Sequence, residues 1–497
     1  MAEDVNERNG RSGTGAPGGP THPAVAKDPG AGKQGASGPP RTSISRSLLP
    51  AVHGLLARPL SSYYLLIASV GLLLVIGLTM VFSATSVRAY ATHGSAFSVI
   101  RNQAMFAFIG LFGFWVCQRL PAGTLRALGV YILGSALALL AVLDLLMALT
   151  SVGVLDEPEI GPVSANLLWL YLGPIQVQPS ELVKVGLVLW GADMIARKGV
   201  ALGWWRELAM PLFPMVGLLF VLVGYNDTGS MLVVLGLVVG MLWAAGVRLR
   251  IFAALGVLGL SGVGLLIAAA SRGAGSGSTN APNYRFARIT NWLDPPANCS
   301  LGDCYQMLQS RSAMYEGGWF GVGLGKSSLK WAWLPAADND FIFAVVAEEL
   351  GVVGCVVILA LFAVLAYTGF RIARRVEDPF RRLAAAGITT WIVAQAVINM
   401  GGVSGLIPLT GVPLPFISDG GSALIVTMAG IGMLASFARA EPDAARALHA
   451  RPPARWVRLV WAPLPPLPPP RRPAQPRPSA ARTGTRAPVG AGGERRR

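Results

Sequence analysis

Charged residues, histidine and cysteine are all scarce in this sequence. Of its 497 residues, 13% are charged and 53% are hydrophobic, and it has four histidines and four cysteines. Soluble domains carry about 25% charged residues, so this composition excludes an ordinary soluble domain and indicates a membrane protein with several spans. The formal net charge of +16 sits in the tails and in short loops, where it signals membrane topology and not nucleic-acid binding.

Several familiar motifs are also missing. The sequence has no Walker motif, dinucleotide fingerprint, HExxH or GxSxG, which argues against ATP-driven transport, redox chemistry and the familiar membrane proteases. Residues 1–45 are rich in Gly, Pro and Ala and contain no apolar core, so they do not form a cleavable signal peptide. The first span is therefore expected to act as an uncleaved anchor.

Apolar runs long enough to cross about 30 Å of hydrocarbon determine the fold prediction. There are ten, at residues 62–84, 98–117, 125–149, 181–197, 208–225, 228–246, 251–270, 341–367, 383–404 and 421–438. We predict an all-α polytopic membrane protein with ten transmembrane helices and one large outer loop, 271–340, between spans 7 and 8. The domain prediction has three parts: a disordered N-terminal tail, a membrane domain and a Pro/Arg-rich C-terminal tail, over residues 1–58, 59–440 and 441–497.

Basic residues in alternate loops orient the predicted spans. Lys and Arg cluster near residues 119–126, 197–206, 248–250 and 370–382 and in both tails. The positive-inside rule then places both termini in the cytoplasm. The 271–340 loop and the 405–420 segment face outward, so we expect the chemistry of this protein at the outer face.

The long outer loop holds most of the candidate binding residues. Arg285 and Arg288 are three residues apart and would share a helical face, which fits a solvated basic surface as well as a binding pair. The run GGWFGVGLGKSSLKW, residues 317–331, contains Lys326, and its glycines would let backbone N–H groups approach a phosphate. With nearby acids, these cations would hold a phosphorylated substrate while a carboxylate deprotonates an acceptor.

Four acids lie at the start of the eighth predicted span. Asp338 and Asp340 precede the apolar run, and Glu348 and Glu349 lie inside it. An ionised carboxylate in hydrocarbon costs about 2.5 to 3.5 kcal/mol on insertion scales, so these glutamates need compensation. We expect a polar cavity in which they pair with loop cations, Arg285, Arg288 or Lys326, or with a divalent cation. Anchoring of the long loop by Asp340 is the alternative.

Two further segments carry polar groups at membrane depth. Glu181 and Lys184 are three apart at the start of the fourth span, where an intrahelical ion pair is the simpler interpretation and substrate binding the functional one. Residues 402–426 combine several prolines and glycines with Asp419, so their backbone is expected to be irregular. Such a segment persists in a membrane only when it is buried in protein or lines a wet cavity.

The four cysteines fall into two groups. Cys117 and Cys355 lie in apolar runs and are expected to be inert. Cys299 and Cys304 lie close together in the polar loop sequence NCSLGDC, where a disulfide is plausible if the loop faces an oxidising compartment. A metal pair is less favoured, because no histidine is nearby, and we predict no metal site from the sequence.

Longer motifs carry a family resemblance. QPSEL, WLDP, CYQMLQS, GGWFGVGLGKS, NDFIFAV and NMGGVSGLIPLTGVPLPFIS occur in order between about residues 60 and 440. This pattern resembles the SEDS family, the FtsW/RodA/SpoVE cell-wall glycosyltransferases. VPLPF and SFARAEP look more like the division member of that family than the elongation member.

The resemblance implies a ten-helix enzyme that polymerises lipid II into glycan strands at the outer face during cell division. It further implies a class B penicillin-binding protein and other divisome membrane proteins as partners, a plasma-membrane location at the division septum, and no required cofactor, although Mg²⁺ or Mn²⁺ would assist. A loop aspartate would act as general base. The pattern is disturbed in LDPPANCSLGDCYQ, so Asp294 is favoured and Asp303 is the alternative. The implied substrate-binding residues are Arg285, Arg288, Lys326, Lys184, Gln306, Asp340, Glu348 and Glu349.

Two other functions remain open from the sequence. A flippase for lipid-linked precursors predicts polar residues continuing through the helices to the cytoplasmic side, whereas here they cluster near the outer ends. A non-catalytic division scaffold would fit the disturbed aspartate pattern and the long tails.

Overall fold

The fold is predominantly helical. In the computed structural model, the described residues are 54, 58–166, 168–173, 175–198, 205–272, 292–293, 303–331, 334 and 336–468. The helices before the long loop are α1 Ser61–His93, α2 Ser98–Cys117, α3 Ala122–Ser151, α4 Pro179–Lys198, α5 Trp205–Asn226, α6 Thr228–Ala244 and α7 Leu249–Arg272. The later helices are α8 Asp303–Gly317, α9 Ile342–Arg375, α10 Pro379–Val403, α11 Gly421–Arg439, α12 Pro442–Ala450 and α13 Arg455–Val460.

Each predicted span overlaps one helix, α1 to α7 or α9 to α11. Among the described residues, six of these helices are long and apolar enough to cross a bilayer, namely α1, α2, α3, α9, α10 and α11. Helices α5, α6 and α7 contribute shorter apolar stretches, Met210–Gly224, Thr228–Ala244 and Leu249–Gly262. The chain is thus an integral membrane protein, while the count of ten spans and the position of the large loop remain predictions.

A small β-sheet corrects the prediction of an all-α fold. Four short strands follow α3 and form one antiparallel sheet in chain order, β1 Glu159–Ile160, β2 Val163–Asn166, β3 Trp169–Leu172 and β4 Ile175–Val177. Ala165 and Leu170 of the sheet pack on Leu143 and Leu146 of α3. The physical reason is burial, because the sheet covers apolar side chains at the end of α3 that would otherwise face solvent.

Helix α10 lies at the centre of the helical packing. It packs against α4, α6, α9 and α11, and its side chains Trp391, Ile388 and Phe380 are fully buried. Its N-terminus is capped by Asp378, whose side chain accepts a hydrogen bond from the Phe380 backbone N–H at 3.1 Å, with Pro379 as the first helical residue. The polar residues of α10 are therefore held in a rigid environment.

Helix α9 is interrupted at Gly351, and the glycine-rich segment docks there. Gly351 has φ 67° and ψ −164°, in the positive-φ region that favours glycine. The interruption frees backbone groups that bond the segment 317–331: Val322 and Gly323 N–H donate to the carbonyls of Glu348 and Glu349 at 2.9 and 3.1 Å. Val352 N–H donates in return to the Gly318 carbonyl at 2.9 Å. This docking fixes the segment against the N-terminal part of α9.

Part of the predicted C-terminal tail is folded against the membrane domain. After α11, the chain forms α12 and α13 and then an extended stretch that is described as far as residue 468. Ala444, Ala445 and Ala462 are buried. Residues that composition assigned to a tail thus contribute buried side chains to the fold.

Candidate functional site

Glu181 and Lys184 form a buried ion pair near the N-terminus of α4. The helix begins at Pro179, and the spacing of three residues places both side chains on one face. The distance from Lys184 Nζ to Glu181 Oε1 is 2.6 Å, and both side chains are at most 1% exposed. Because isolated buried charges are so costly, each of these charges depends on the other. The simpler interpretation of the pair, an ion pair within the helix, describes the geometry, and a role in substrate binding stays a prediction.

Gln395 of α10 connects this pair to the 405–420 segment. Its Oε1 accepts hydrogen bonds from Lys184 Nζ and from the Trp391 indole N–H, both at 2.9 Å. Its Nε2 donates to the Pro413 carbonyl at 3.0 Å. The lysine therefore helps to position the Pro-rich segment, and the buried cluster connects α4, α10 and that segment.

A cleft beside the 405–420 segment brings together two predicted site residues. Gln306 of α8 and Asp340, just before α9, line a small cleft of about 30 Å³ together with Asn399 of α10. Asn399 Nδ2 donates to the carbonyls of Asp340 and Val412 at 2.8 and 2.7 Å. The cleft presents carboxylate and amide groups, and its volume suits a single water molecule or hydroxyl group.

Glu348 is held by two consecutive serines of the glycine-rich segment. Ser328 donates to its Oε1 from the backbone N–H at 2.6 Å and from the hydroxyl at 2.8 Å. Ser327 donates to its Oε2 through the hydroxyl. Three donors therefore compensate a carboxylate that is 1% exposed.

Glu349 joins the same segment to α1. Both of its oxygens accept from the Ser83 hydroxyl, at 2.8 and 2.7 Å, and its Oε1 also accepts from the Ser327 N–H at 3.4 Å. Ser83 Oγ in turn accepts from the Gly325 N–H at 3.1 Å. The two glutamates therefore act as hydrogen-bonded anchors for residues 325–328.

In the described part of the chain, the buried charges of Glu348 and Glu349 are compensated by neutral hydrogen-bond donors, whereas the sequence predicted cations. There the hydrogen-bond partners of Glu348 and Glu349 are hydroxyl and backbone N–H groups, and the Lys326 side chain is exposed. Hydroxyl and amide donors satisfy lone pairs of the carboxylates without removing a second charge from water. Anchoring of the loop, which the alternative assigned to Asp340, is thus performed by the glutamates as well.

Backbone contacts fix the segment around Asp340. The Asn339 carbonyl accepts from the Ser418 hydroxyl at 2.7 Å, and the Asp338 carbonyl accepts from the Asp419 N–H at 2.9 Å. Between α10 and α11, burial and the nearby Asp338 charge raise the pKa of the Asp419 carboxyl to about 6. Asp419 is thus a carboxyl that takes up a proton at mildly acidic pH.

Some predicted site residues lie beyond what the structure describes. Arg285, Arg288 and Asp294 lie outside the described residues, and Asp303 is the first residue of α8. Cys304, the next residue of α8, is disulfide-bonded, whereas Cys117 and Cys355 are free thiols. Cys299, its predicted partner, lies outside the described residues. The choice between Asp294 and Asp303 therefore remains open.

Sequence reasoning missed Gln395, Asn399 and Ser83. A signal for the first two existed, because they are polar residues four apart in an apolar helix and therefore share a face. Ser83 carried no such signal, since a serine in a long apolar helix is most often satisfied by its own backbone. Among the described residues, no group of three or more His, Cys, Asp or Glu side chains could hold a metal ion.

Comparison with known proteins yields a consistent set of relatives. The family model described as "Cell cycle protein", FtsW/RodA/SpoVE, matches residues 63–442. The probable peptidoglycan glycosyltransferase FtsW of Mycobacterium tuberculosis is 37% identical over 453 residues, covering 91% of this chain and 79% of the relative. Stage V sporulation protein E of Bacillus subtilis is 35% identical over 370 residues, covering 74% of this chain and 94% of the relative.

Solved structures agree with these relatives. A chain from a peptidoglycan synthase complex, studied for its coordination of polymerization and crosslinking, has a TM-score of 0.57 and 27% identity, covering 76% of this chain and 97% of its own. The rod shape determining protein RodA of Thermus thermophilus has a TM-score of 0.51 and 25% identity, covering 76% and 96%. The resemblance seen in the sequence motifs is thereby confirmed, and this chain belongs to the FtsW/RodA/SpoVE family of cell cycle proteins.

Proposed function

We propose that this protein is a peptidoglycan glycosyltransferase that polymerises lipid II into glycan strands during cell division. The observation that carries the proposal is the 37% identity to a probable peptidoglycan glycosyltransferase FtsW over 91% of this chain. The match of the FtsW/RodA/SpoVE family model to residues 63–442 adds support.

The proposed reaction is glycosyl transfer with inversion. Asp294, or Asp303 as the alternative, removes the proton from the acceptor sugar hydroxyl, which attacks the anomeric carbon of the donor as the bond to undecaprenyl diphosphate breaks. Arg285, Arg288 and Lys326 stabilise the negative charge of the departing diphosphate. Gln306 and Asp340 would help to bind the substrate, and Lys184, which is fully buried, would support binding through Gln395 and the Pro413 carbonyl. The reaction needs no nucleotide and no required cofactor, and Mg²⁺ or Mn²⁺ would assist the leaving group.

The glycine-rich segment connects this chemistry to the observed geometry. Lys326 is exposed, while the residues on either side of it are held by Glu349 through Ser83 and Ser327. A flexible lysine on a fixed backbone can reach a diphosphate without moving the segment. On this proposal, Glu348 and Glu349 support the binding site by positioning the segment that carries Lys326.

The proposal also covers partners and location. The protein would lie in the plasma membrane at the division septum, with both termini cytoplasmic and ten spans. A class B penicillin-binding protein, which crosslinks glycan strands, would be its partner together with other divisome membrane proteins. The similarity to a chain from a peptidoglycan synthase complex supports this assignment.

Polymerisation of labelled lipid II by the purified protein tests the proposal. The assay compares wild type with Asp294→Ala and Asp303→Ala, with and without the cognate penicillin-binding protein, and uses Asp156→Ala as a control. Asp156 is an exposed aspartate between α3 and the β-sheet, so its removal should leave the rate unchanged. Polymer from wild type and from only one of the two loop variants would identify the other variant's aspartate as required. No polymer from wild type, even with the partner present, would refute the proposal.

A further inference from the structure

The segment from Arg451 to Trp461 combines basic and aromatic residues. Its sequence, RPPARWVRLVW, has three arginines and two tryptophans, and after Asp443 the next acidic residue is Glu494. A basic segment that also carries large apolar side chains is typical of peptides that lie at a membrane surface. Composition alone does not show where this segment lies on the protein, whereas its hydrogen bonds do.

Hydrogen bonds to residues of α1 and α11 and at the end of α2 hold the end of the segment. Arg119, just after α2, donates to the carbonyls of Leu459 and Val460 at 2.6 and 2.9 Å. The Trp461 indole N–H donates to the hydroxyl of Tyr63 in α1 at 2.6 Å, and its carbonyl accepts from Gln118 at 3.3 Å.

Two further bonds complete the attachment. The Trp115 indole of α2 donates to the Val460 carbonyl, and Arg439 of α11 donates to the Ala462 carbonyl at 3.4 Å. Apart from the bond of the Trp461 indole, these bonds use backbone carbonyls of residues 459–462, and the side chains of Trp456 and Leu459 remain exposed. The protein itself therefore holds the end of the segment beside α1, α2 and α11.

Large apolar side chains of this segment are exposed. Trp456 and Leu459 are 69% and 72% exposed. The Leu459 carbonyl is bonded to Arg119 at the end of α2, a helix whose Phe108 and Phe112 are 74% and 59% exposed, as expected for residues that contact lipid. Tryptophan is enriched where the hydrocarbon meets the headgroups, and exposed leucine at that level favours insertion over contact with water.

We propose that residues 451–461 are an interfacial anchor that binds anionic phospholipid. Trp456 and Leu459 insert at the boundary of the acyl chains, and Arg451, Arg455 and Arg458 bind headgroup phosphates. Charge complementarity favours a lipid occupant, because the stretch carries only positive charge and the guanidinium group matches phosphate geometry. A basic residue near an anionic surface contributes about a fivefold gain in binding. The anchor is independent of the proposed transferase activity.

Depth-dependent quenching in the full chain tests this anchor. Leu459→Cys is labelled with a small fluorophore in a Cys117→Ala/Cys355→Ala background and reconstituted into nanodiscs of zwitterionic lipid, with or without anionic lipid. Asp443→Cys on α12 is the control, because Asp443 is 69% exposed and charged. In anionic discs we expect spin-labelled lipid to quench position 459 strongly and aqueous iodide to quench it weakly, with the reverse at position 443.

Charge variants separate lipid binding from a structural role. Replacing Arg451, Arg455 and Arg458 together by Gln should lower the equilibrium constant for membrane insertion by up to about a hundredfold, because each arginine contributes about fivefold. The same three changes to Lys keep the charge and should retain most of the insertion. Equal quenching at positions 459 and 443, no effect of the Gln changes, or protection from iodide only when a transpeptidase partner is present would each overturn the proposal.

Discussion

Replacing Lys184 by Met should destabilise the protein strongly. The change leaves Glu181, 1% exposed, without its cation, and within the described residues the second oxygen of that carboxylate already has no hydrogen-bond partner. Removing one partner of a buried ion pair costs about 3 to 5 kcal/mol, because the remaining charge stays buried and uncompensated. Gln395 would also lose one of its two donors. We therefore expect a loss near the upper end of that range.

The assay is the free energy of unfolding in lipid bicelles, measured by steric trapping. Arg446→Met is the matched control, because Arg446 pairs with Asp443 at the same spacing of three residues, at 3.3 Å, and the two side chains are 43% and 69% exposed. An exposed pair contributes little, since water solvates both charges when the pair is broken. The control should therefore unfold like the wild type.

A double variant separates the two roles of the pair. Glu181→Leu with Lys184→Met removes both charges and leaves an apolar site, which is often neutral for stability. We expect the double variant to recover most of the loss of the single variant. If it then fails to polymerise lipid II, Lys184 or Glu181 has a role in activity besides stability. A single variant that unfolds like the wild type, or a double variant that loses as much as the single, would refute the reasoning.

Three further predictions concern the glycine-rich segment and Asp419. Gly351→Ala should cost about 2 kcal/mol or more in unfolding free energy, because alanine is strained at φ 67° and its Cβ would meet the Gly321 N–H; an unchanged value would contradict this. Glu348→Ala should speed hydrogen exchange at residues 325–329 more than Glu348→Gln, which keeps one acceptor; equal rates would argue against anchoring. The pKa of the Asp419 carboxyl is about 6, above its usual 3.8. The protonated carboxyl therefore contributes stability that is complete below pH 3.8 and is lost as the pH rises through 6. Asp419→Asn should therefore raise the unfolding midpoint at pH 7.5 but not at pH 3.5.

The predicted helices followed from apolar run length, but the β-sheet did not. A helix of about 20 apolar residues is the simplest structure that satisfies its own backbone in hydrocarbon, so run length locates it. The strands at residues 159–177 are only two to four residues long, too short for a periodic pattern. Gly161 and Gly173, both with φ 61°, mark the turns, and in hindsight they were the available signal.

Two buried acids of the candidate site could be singled out from the sequence, whereas their contacts could not. Glu348 and Glu349 drew attention because acids inside an apolar run require compensation. Their partners are serines 21 and 266 positions away in sequence, Ser327 for Glu348 and Ser83 for Glu349. Loop cations were the expected partners because charge is visible in a sequence, whereas a hydroxyl becomes a partner only through proximity.

The sequence by itself determined that the chain is a membrane protein, where its helices lie and which family it resembles. These properties depend on local composition and on contiguous motifs, which need no knowledge of the fold. Tertiary structure alone decided that Lys184 contacts Gln395, that the glycine-rich segment docks at Gly351, and that α13 is held against α1 and α2. Each of these contacts joins residues distant in the chain, and close packing brings them together only after the helices have assembled.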